Sequence, residues 1–216
     1  TPAFKQAKAS CNVAKMPLVE TLRYHWRAVL VAVAIKFVET APFYIFSTFI
    51  VSYATSSLGF DRISVLNAVT LATLVTTLMI PIMGRISDTV GRKRMFVAGT
   101  LIMAVFTFPY FMLLEQRTTA TLVIATVVGL GLVWAPITAV LGTLFSEIFS
   151  TRVRYTGITL GYQRGAALAG GTAPLLATWL LKAYDGSWVP VAWYIIGTAV
   201  ISLIGIAFAK TVADND

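Results

Sequence analysis

Cysteine and histidine are almost missing from this chain of 216 residues, which has Cys11 alone and His25 alone. One cysteine excludes an intrachain disulfide and any cysteine-based metal cluster, and His25 sits in a basic stretch that reads as interfacial. Charge is scarce as well, at 12% of residues against 57% hydrophobic, about half of what a soluble domain carries. The acidic side is the poorer, with nine Asp and Glu facing 17 Lys and Arg. The resulting charge of +8 does not signal nucleic acid, because the cations form neither a patch nor a helical stripe. They fall in the gaps between apolar runs. No metal-ligand spacing, Ser/His/Asp set or glycine-rich phosphate loop is present, so no enzyme class is indicated and no cofactor is expected.

What remains is a succession of long apolar runs. Six spans are drawn at about 28–57, 63–84, 95–114, 119–146, 156–181 and 188–209, each long enough to cross a bilayer as a helix of roughly 20 residues. The expected fold is therefore all-α, a polytopic membrane protein with six transmembrane helices between residues 28 and 210. Residues 1–27 are polar and basic without the apolar core of a signal peptide. They read as the tail of a cytoplasmic linker, and 211–216 as a cytoplasmic tail. Six spans place both ends on one side. With that side cytoplasmic, twelve cations lie inside and only Arg62, Arg117 and Lys182 outside, as the positive-inside rule requires.

Two cations remain, and both fall within spans. Lys36 lies three residues before Glu39, a spacing that puts the two on one helical face where they can pair. Charges at membrane depth cost at least ~2.5–3.5 kcal/mol and ordinarily face a bundle interior or a water cavity. The pair is read as a functional site, with a purely structural ion pair holding two helices together as the alternative. Pro42 follows and predicts local helix irregularity; Tyr44 adds a hydroxyl. Arg164 sits about 15 Å deep in the fifth span at 1.5 Å per residue, beside Gln163.

Other features are assigned to packing. Gly157, Gly161, Gly165, Ala169 and Ala173 recur every four residues and predict close helix approach. Gly170, Gly171 and Pro174 interrupt the same span. Gly129, Gly131 and Pro136 predict a kink in the fourth span; Trp134 there is read as packed between helices rather than lining a cavity. Pro109, Tyr110 and Phe111 fit an interfacial aromatic belt.

The second and third spans are joined by Gly84-Arg85-Ile86-Ser87-Asp88-Thr89-Val90-Gly91-Arg92-Lys93-Arg94, read as a tight loop after a helix that Pro81 and Gly84 terminate. Gly84, Asp88, Gly91, Arg92 and Lys93 match the spacing G-x-x-x-D-(R)-x-G-R-(K/R), with Thr89 where an Arg often stands. This signature resembles that of major facilitator superfamily transporters. Ala41-Pro42-Phe43-Tyr44-Ile45-Phe46, Phe108-Pro109-Tyr110-Phe111 and Ser146-Glu147-Ile148-Phe149-Ser150-Thr151-Arg152-Val153-Arg154-Tyr155-Thr156-Gly157 further resemble the metabolite:proton symporter branch. Shikimate, α-ketoglutarate and proline/betaine permeases belong to that branch. The resemblance implies the second half of a twelve-helix bundle, alternating access, and a cytoplasmic gate in which Glu147 pairs with Arg154 beside Asp88 with Arg92. Asp88 is further expected to cap the fifth helix. In that mechanism Glu39 with Lys36 is the expected proton-coupling pair, and Tyr44, Gln163 and Arg164 are the candidate substrate contacts. Two intramembrane cations against one carboxylate tilt the expectation toward an anionic metabolite. The partners so implied are the bilayer, a small metabolite, protons, and a complementary half or second copy. A passive facilitator of the same fold and a non-transport assembly subunit are the competing readings.

Overall fold

The computed structural model describes residue 21, residues 23–149 and residues 153–209. Residues 1–20 and 22 of the expected linker, the expected tail and Arg152 lie outside them. The described residues are helical, without strands. They form α1 (Trp26–Ser56), α2 (Arg62–Val90), α3 (Arg92–Glu115), α4 (Thr119–Ile148), α5 (Arg154–Gly170), α6 (Ala173–Ala183) and α7 (Val189–Phe208).

Five of these, α1 to α4 and α7, are long and apolar enough to cross a membrane. The fifth expected span is instead two helices of 17 and 11 residues, so six crossings do not follow from helix length. The cause is local. Gly170 and Gly171 end α5, and Pro174 stands in the first turn of α6, where its missing N–H costs nothing.

The second span corrects the sequence reading in the opposite sense. Pro81 and Gly84 do not terminate it, because α2 runs on to Val90. In apolar surroundings an interrupted ladder has no water to turn to, and a proline is absorbed within the helix. The Gly84 carbonyl also accepts from Ser87 Oγ at 2.6 Å. The expected eleven-residue loop thus contracts to Gly91 alone, whose φ of +97° suits a residue without Cβ. Asp61 and Thr118 cap the starts of α2 and α4 by accepting from Ser64 N at 3.1 Å and Thr121 N at 3.2 Å.

α1 is the centre of packing, laid against α5 on one side and α7 on the other. The expected small-residue stripe makes the first contact. A Cβ on Gly161 would stand 2.5 Å from Ala32 Cβ, and one on Gly165 would stand 2.6 Å from Lys36 Cβ. On the other side Ser202 of α7 enters the hydrogen-bond ladder of α1. Its hydroxyl donates to Ala34 O at 2.7 Å and accepts from Val38 N at 3.0 Å. An inserted side chain of this kind bends a helix, and Pro42 lies one turn further on. A π turn follows at Ile45–Phe49, and a second widens α4 at Val127–Val133. Both irregularities fall where proline and glycine predicted them.

The aromatic run of α3 does not form an interfacial belt. Tyr110 and Phe111 are fully buried. Tyr110 packs on Phe46 at 4.3 Å between ring centroids and fills the space beside Gly129, and Phe111 stacks on Trp188 at 5.3 Å. The missing side chain of Gly129 and the two π turns make room that a regular helix pair would not.

Candidate functional site: a buried ion pair and its cavity

Lys36 and Glu39 are both buried, at 2% and 6% exposure, and they form a direct ion pair. Glu39 Oε2 also accepts from Thr40 Oγ1 at 2.8 Å, and Oε1 from Thr138 Oγ1 of α4 at 3.2 Å. Trp134 Nε1 donates to the Glu39 carbonyl at 2.6 Å. The lysine ammonium is placed 3.5 Å from the centroid of the Tyr162 ring, a cation–π contact that strengthens when water is excluded. Both carboxylate oxygens of Glu39 thus have partners, as a buried carboxylate requires.

A cavity of about 240 Å³ opens beside the pair, with Tyr44, Phe43, Trp134 and Tyr162 in its wall. Trp134 both packs between helices, at 5.0 Å from Phe43, and lines this cavity, so the two readings offered for it are not exclusive. Tyr44 stands in the wall as expected. Gln163 and Arg164 do not. Both are exposed, and Arg164 lies about 200° around α5 from Tyr162 at 100° per residue. The glycine stripe separates the two. Without Arg164 the wall holds one cation and one carboxylate, and the charge count that favoured an anion loses its basis.

Tyr162, Thr138 and Thr40 are the residues that sequence reasoning passed over. Tyr162 lies four positions before Ala166, which also lines the cavity, a spacing that marks one helical face. Thr138 is 99 positions from Glu39, and nothing in the sequence links them.

At the end of the bundle that holds Gly91, Arg92 joins two helices. It pairs directly with Glu147 of α4 and reaches Asp88 one turn back at 3.5 Å. Gly91 lines the same pocket as Asp88, Arg92 and Glu147, and Gly84 does not. The expected pairing is corrected here. Glu147 meets Arg92 rather than Arg154, whose Nε donates to the Phe149 carbonyl at 3.1 Å. Asp88 is 65% exposed and is held by Arg92 rather than capping α5. α2 carries Asp88 into its last turn and Arg92 opens α3 just past Gly91, so the two meet across the junction of the two helices.

Residues 32–215 match the Major Facilitator Superfamily. The chain belongs to that superfamily. Among similar major facilitator proteins, the shikimate transporter of Escherichia coli K12 is 31% identical over 87% of this chain and 43% of its own length. The glycine betaine/proline/ectoine/pipecolic acid transporter OusA of Dickeya dadantii is 27% identical over 91% of this chain and 38% of its own. The inner membrane metabolite transport protein YhjE of E. coli K12 is 28% identical over 95% and 47% respectively. The chain therefore spans less than half the length of these relatives. They are named as transporters, not enzymes, and this chain is like them a multi-pass membrane protein. No solved structure matches it.

Proposed function

We propose that this chain is the C-terminal half of a proton-coupled secondary transporter that carries a small carboxylate-bearing metabolite by alternating access. The observation that carries the reading is the Lys36–Glu39 pair, ionisable, buried at membrane depth and open to a cavity. Support comes from the superfamily, whose members similar to this chain are named for shikimate and for betaine and proline, all of which bear a carboxylate. In this reading Glu39 takes up the proton, Lys36 is released toward the solute carboxylate, and Tyr44 with Tyr162 contacts the solute. Gln163 and Arg164 would meet solute only across the face that a complementary half, or a second copy, completes.

The same reading treats α5 and α6 together as one broken crossing, the fifth of six. Both termini then lie on the cytoplasmic side of a bacterial inner membrane, and the Arg92 cluster forms the inner gate. One observation favours a passive facilitator instead. Glu39 already has its hydrogen bonds filled, as a structural ion pair would. The experiment is uptake of labelled shikimate and glycine betaine into vesicles with and without an inward proton gradient, comparing the gene's full reading frame with this chain alone. Gradient-dependent uptake by the longer frame is expected. Equal uptake with and without the gradient would select the facilitator.

A test of the gate follows from its geometry. Glu147→Gln removes the α4 partner of Arg92, whereas Asp88→Asn alters a longer contact across the α2–α3 junction. Ion pairs this exposed contribute on the order of 1 kcal/mol or less, or about fivefold in an equilibrium. Glu147→Gln is expected to slow exchange by up to that factor and Asp88→Asn by less. A larger effect from Asp88→Asn would show that its carboxylate has a partner elsewhere in the cycle.

A further inference from the structure

The half of α1 beyond its π turn carries a polar face that the ion-pair site does not use. Ser47, Thr48, Ser52, Thr55 and Ser56 line a cavity of about 590 Å³, closed on the α2 side by Arg62 and Leu66. The wall holds five hydroxyls and one cation but no carboxylate. The neighbouring Asp61 carboxylate is turned to Ser64 N. Arg62 is exposed and enters none of the ion pairs among the described residues. Ser47 and Thr55 donate to carbonyls of their own helix. Ser52 and Ser56 make no such bond and are exposed. Lipid offers such groups no partner, so this face belongs against water or solute.

The π turn decides where the face points. In an uninterrupted helix Ser52 and Ser56 would lie about 80° and about 120° around from Tyr44 at 100° per residue. One residue absorbed in the π turn turns everything after it back by about 100°, which brings both within about 20° of Tyr44. The hydroxyl face and the wall of the ion-pair cavity are thereby set in one line along α1. A regular helix would have set Ser52 and Ser56 about 80–120° away from Tyr44.

We infer that the outer half of α1 and Arg62 form a second, outer binding site, a hydroxyl-lined vestibule that draws small oxyanions toward the Lys36–Glu39 cavity. The inference rests on the transport reading and orientation proposed above. Arg62 supplies the long-range attraction, which a low-dielectric cleft focuses, and the free hydroxyls of Ser52 and Ser56 donate to the oxyanion along the way.

The test uses the gene's full reading frame in intact cells with Cys11 and every other native cysteine changed to Ser, adding Ser52→Cys or Ser56→Cys. Two membrane-impermeant thiol reagents are applied from outside, one bearing a sulfonate and one a trimethylammonium group. Both thiols are expected to react, and the sulfonate-to-ammonium rate ratio should exceed that of a free thiol. Arg62→Gln should lower that ratio about threefold or more, Arg62→Lys should preserve it, and high salt should flatten it. Thiols that react only after detergent solubilisation would overturn the vestibule, as would a ratio indifferent to Arg62→Gln. Labelling needs no transport. Absence of uptake with intact labelling would therefore remove the transport reading alone, and uptake without labelling would remove only the vestibule.

Discussion

Glu39→Gln is expected to reduce accumulation driven by a proton gradient to simple equilibration, while exchange of solute across the membrane persists. Glutamine keeps one oxygen, for Lys36 and Thr40 or for Thr138, and presents an amide NH2 where the other oxygen now lies. It cannot take up or release a proton. The substitution also leaves Lys36 buried without its counter-ion, and breaking a buried pair at one end costs about 3–5 kcal/mol. Lys36 would retain its contact with the Tyr162 face, which offsets part of that cost. The double substitution Lys36→Met with Glu39→Leu separates the two roles. Replacing both members of a buried pair by apolar residues is often neutral for stability, so the double variant should fold and exchange solute poorly without accumulating it. Full gradient-driven accumulation by the double variant would make the pair structural.

Gly161→Leu and Gly165→Leu are expected to remove most folded protein from the membrane, with Gly165→Ala intermediate. At Gly165 the added Cβ meets both Lys36 Cβ at 2.6 Å and Lys36 Cγ at 2.8 Å. The helices must part or the lysine stem must shift. Overpacking by a single carbon costs about 1–3 kcal/mol, and a leucine more. Thermal stability in detergent measures this directly. Gly142→Ala is the control, because a Cβ there meets nothing within 4 Å, and it should leave stability unchanged. Equal losses from Gly142→Ala and Gly165→Ala would mean that the stripe does not govern helix approach. Gly165→Ala has a further use, since it presses on Lys36 without touching Glu39.

The helical architecture was largely legible because hydrophobic run length is a strong signal and the runs are nearly free of charge. The buried pair was legible for the same reason: Lys36 and Glu39 interrupt such a run at a spacing that joins them. Pro42 and the Gly129–Gly131 region marked irregular helix, and π turns stand there. Misreadings came where a soluble-protein rule met an apolar medium. Pro81 and Gly84 look like terminators, yet α2 passes through both; at Pro81 the bilayer offers a broken backbone bond no substitute. The expected Glu147–Arg154 pairing gave way to Glu147 with Arg92. Arg164 shows another limit. Depth in a span can be counted from sequence, but direction depends on which face a helix buries. Here the glycine stripe faces α1 and leaves Arg164 on the side away from Tyr162. Thr138 and Tyr162 reach the site only through tertiary packing.

The most direct test of the coupling role assigned to Glu39 is proton movement caused by solute itself. Shikimate or glycine betaine is added to de-energised, weakly buffered vesicles carrying the full reading frame, and external pH is followed. Alkalinisation of the medium is expected when solute enters with protons, and none is expected for Glu39→Gln despite continued solute exchange. The same alkalinisation in Glu39→Gln would contradict the account, placing the coupled proton on another group and leaving Lys36–Glu39 as a structural tie within the membrane.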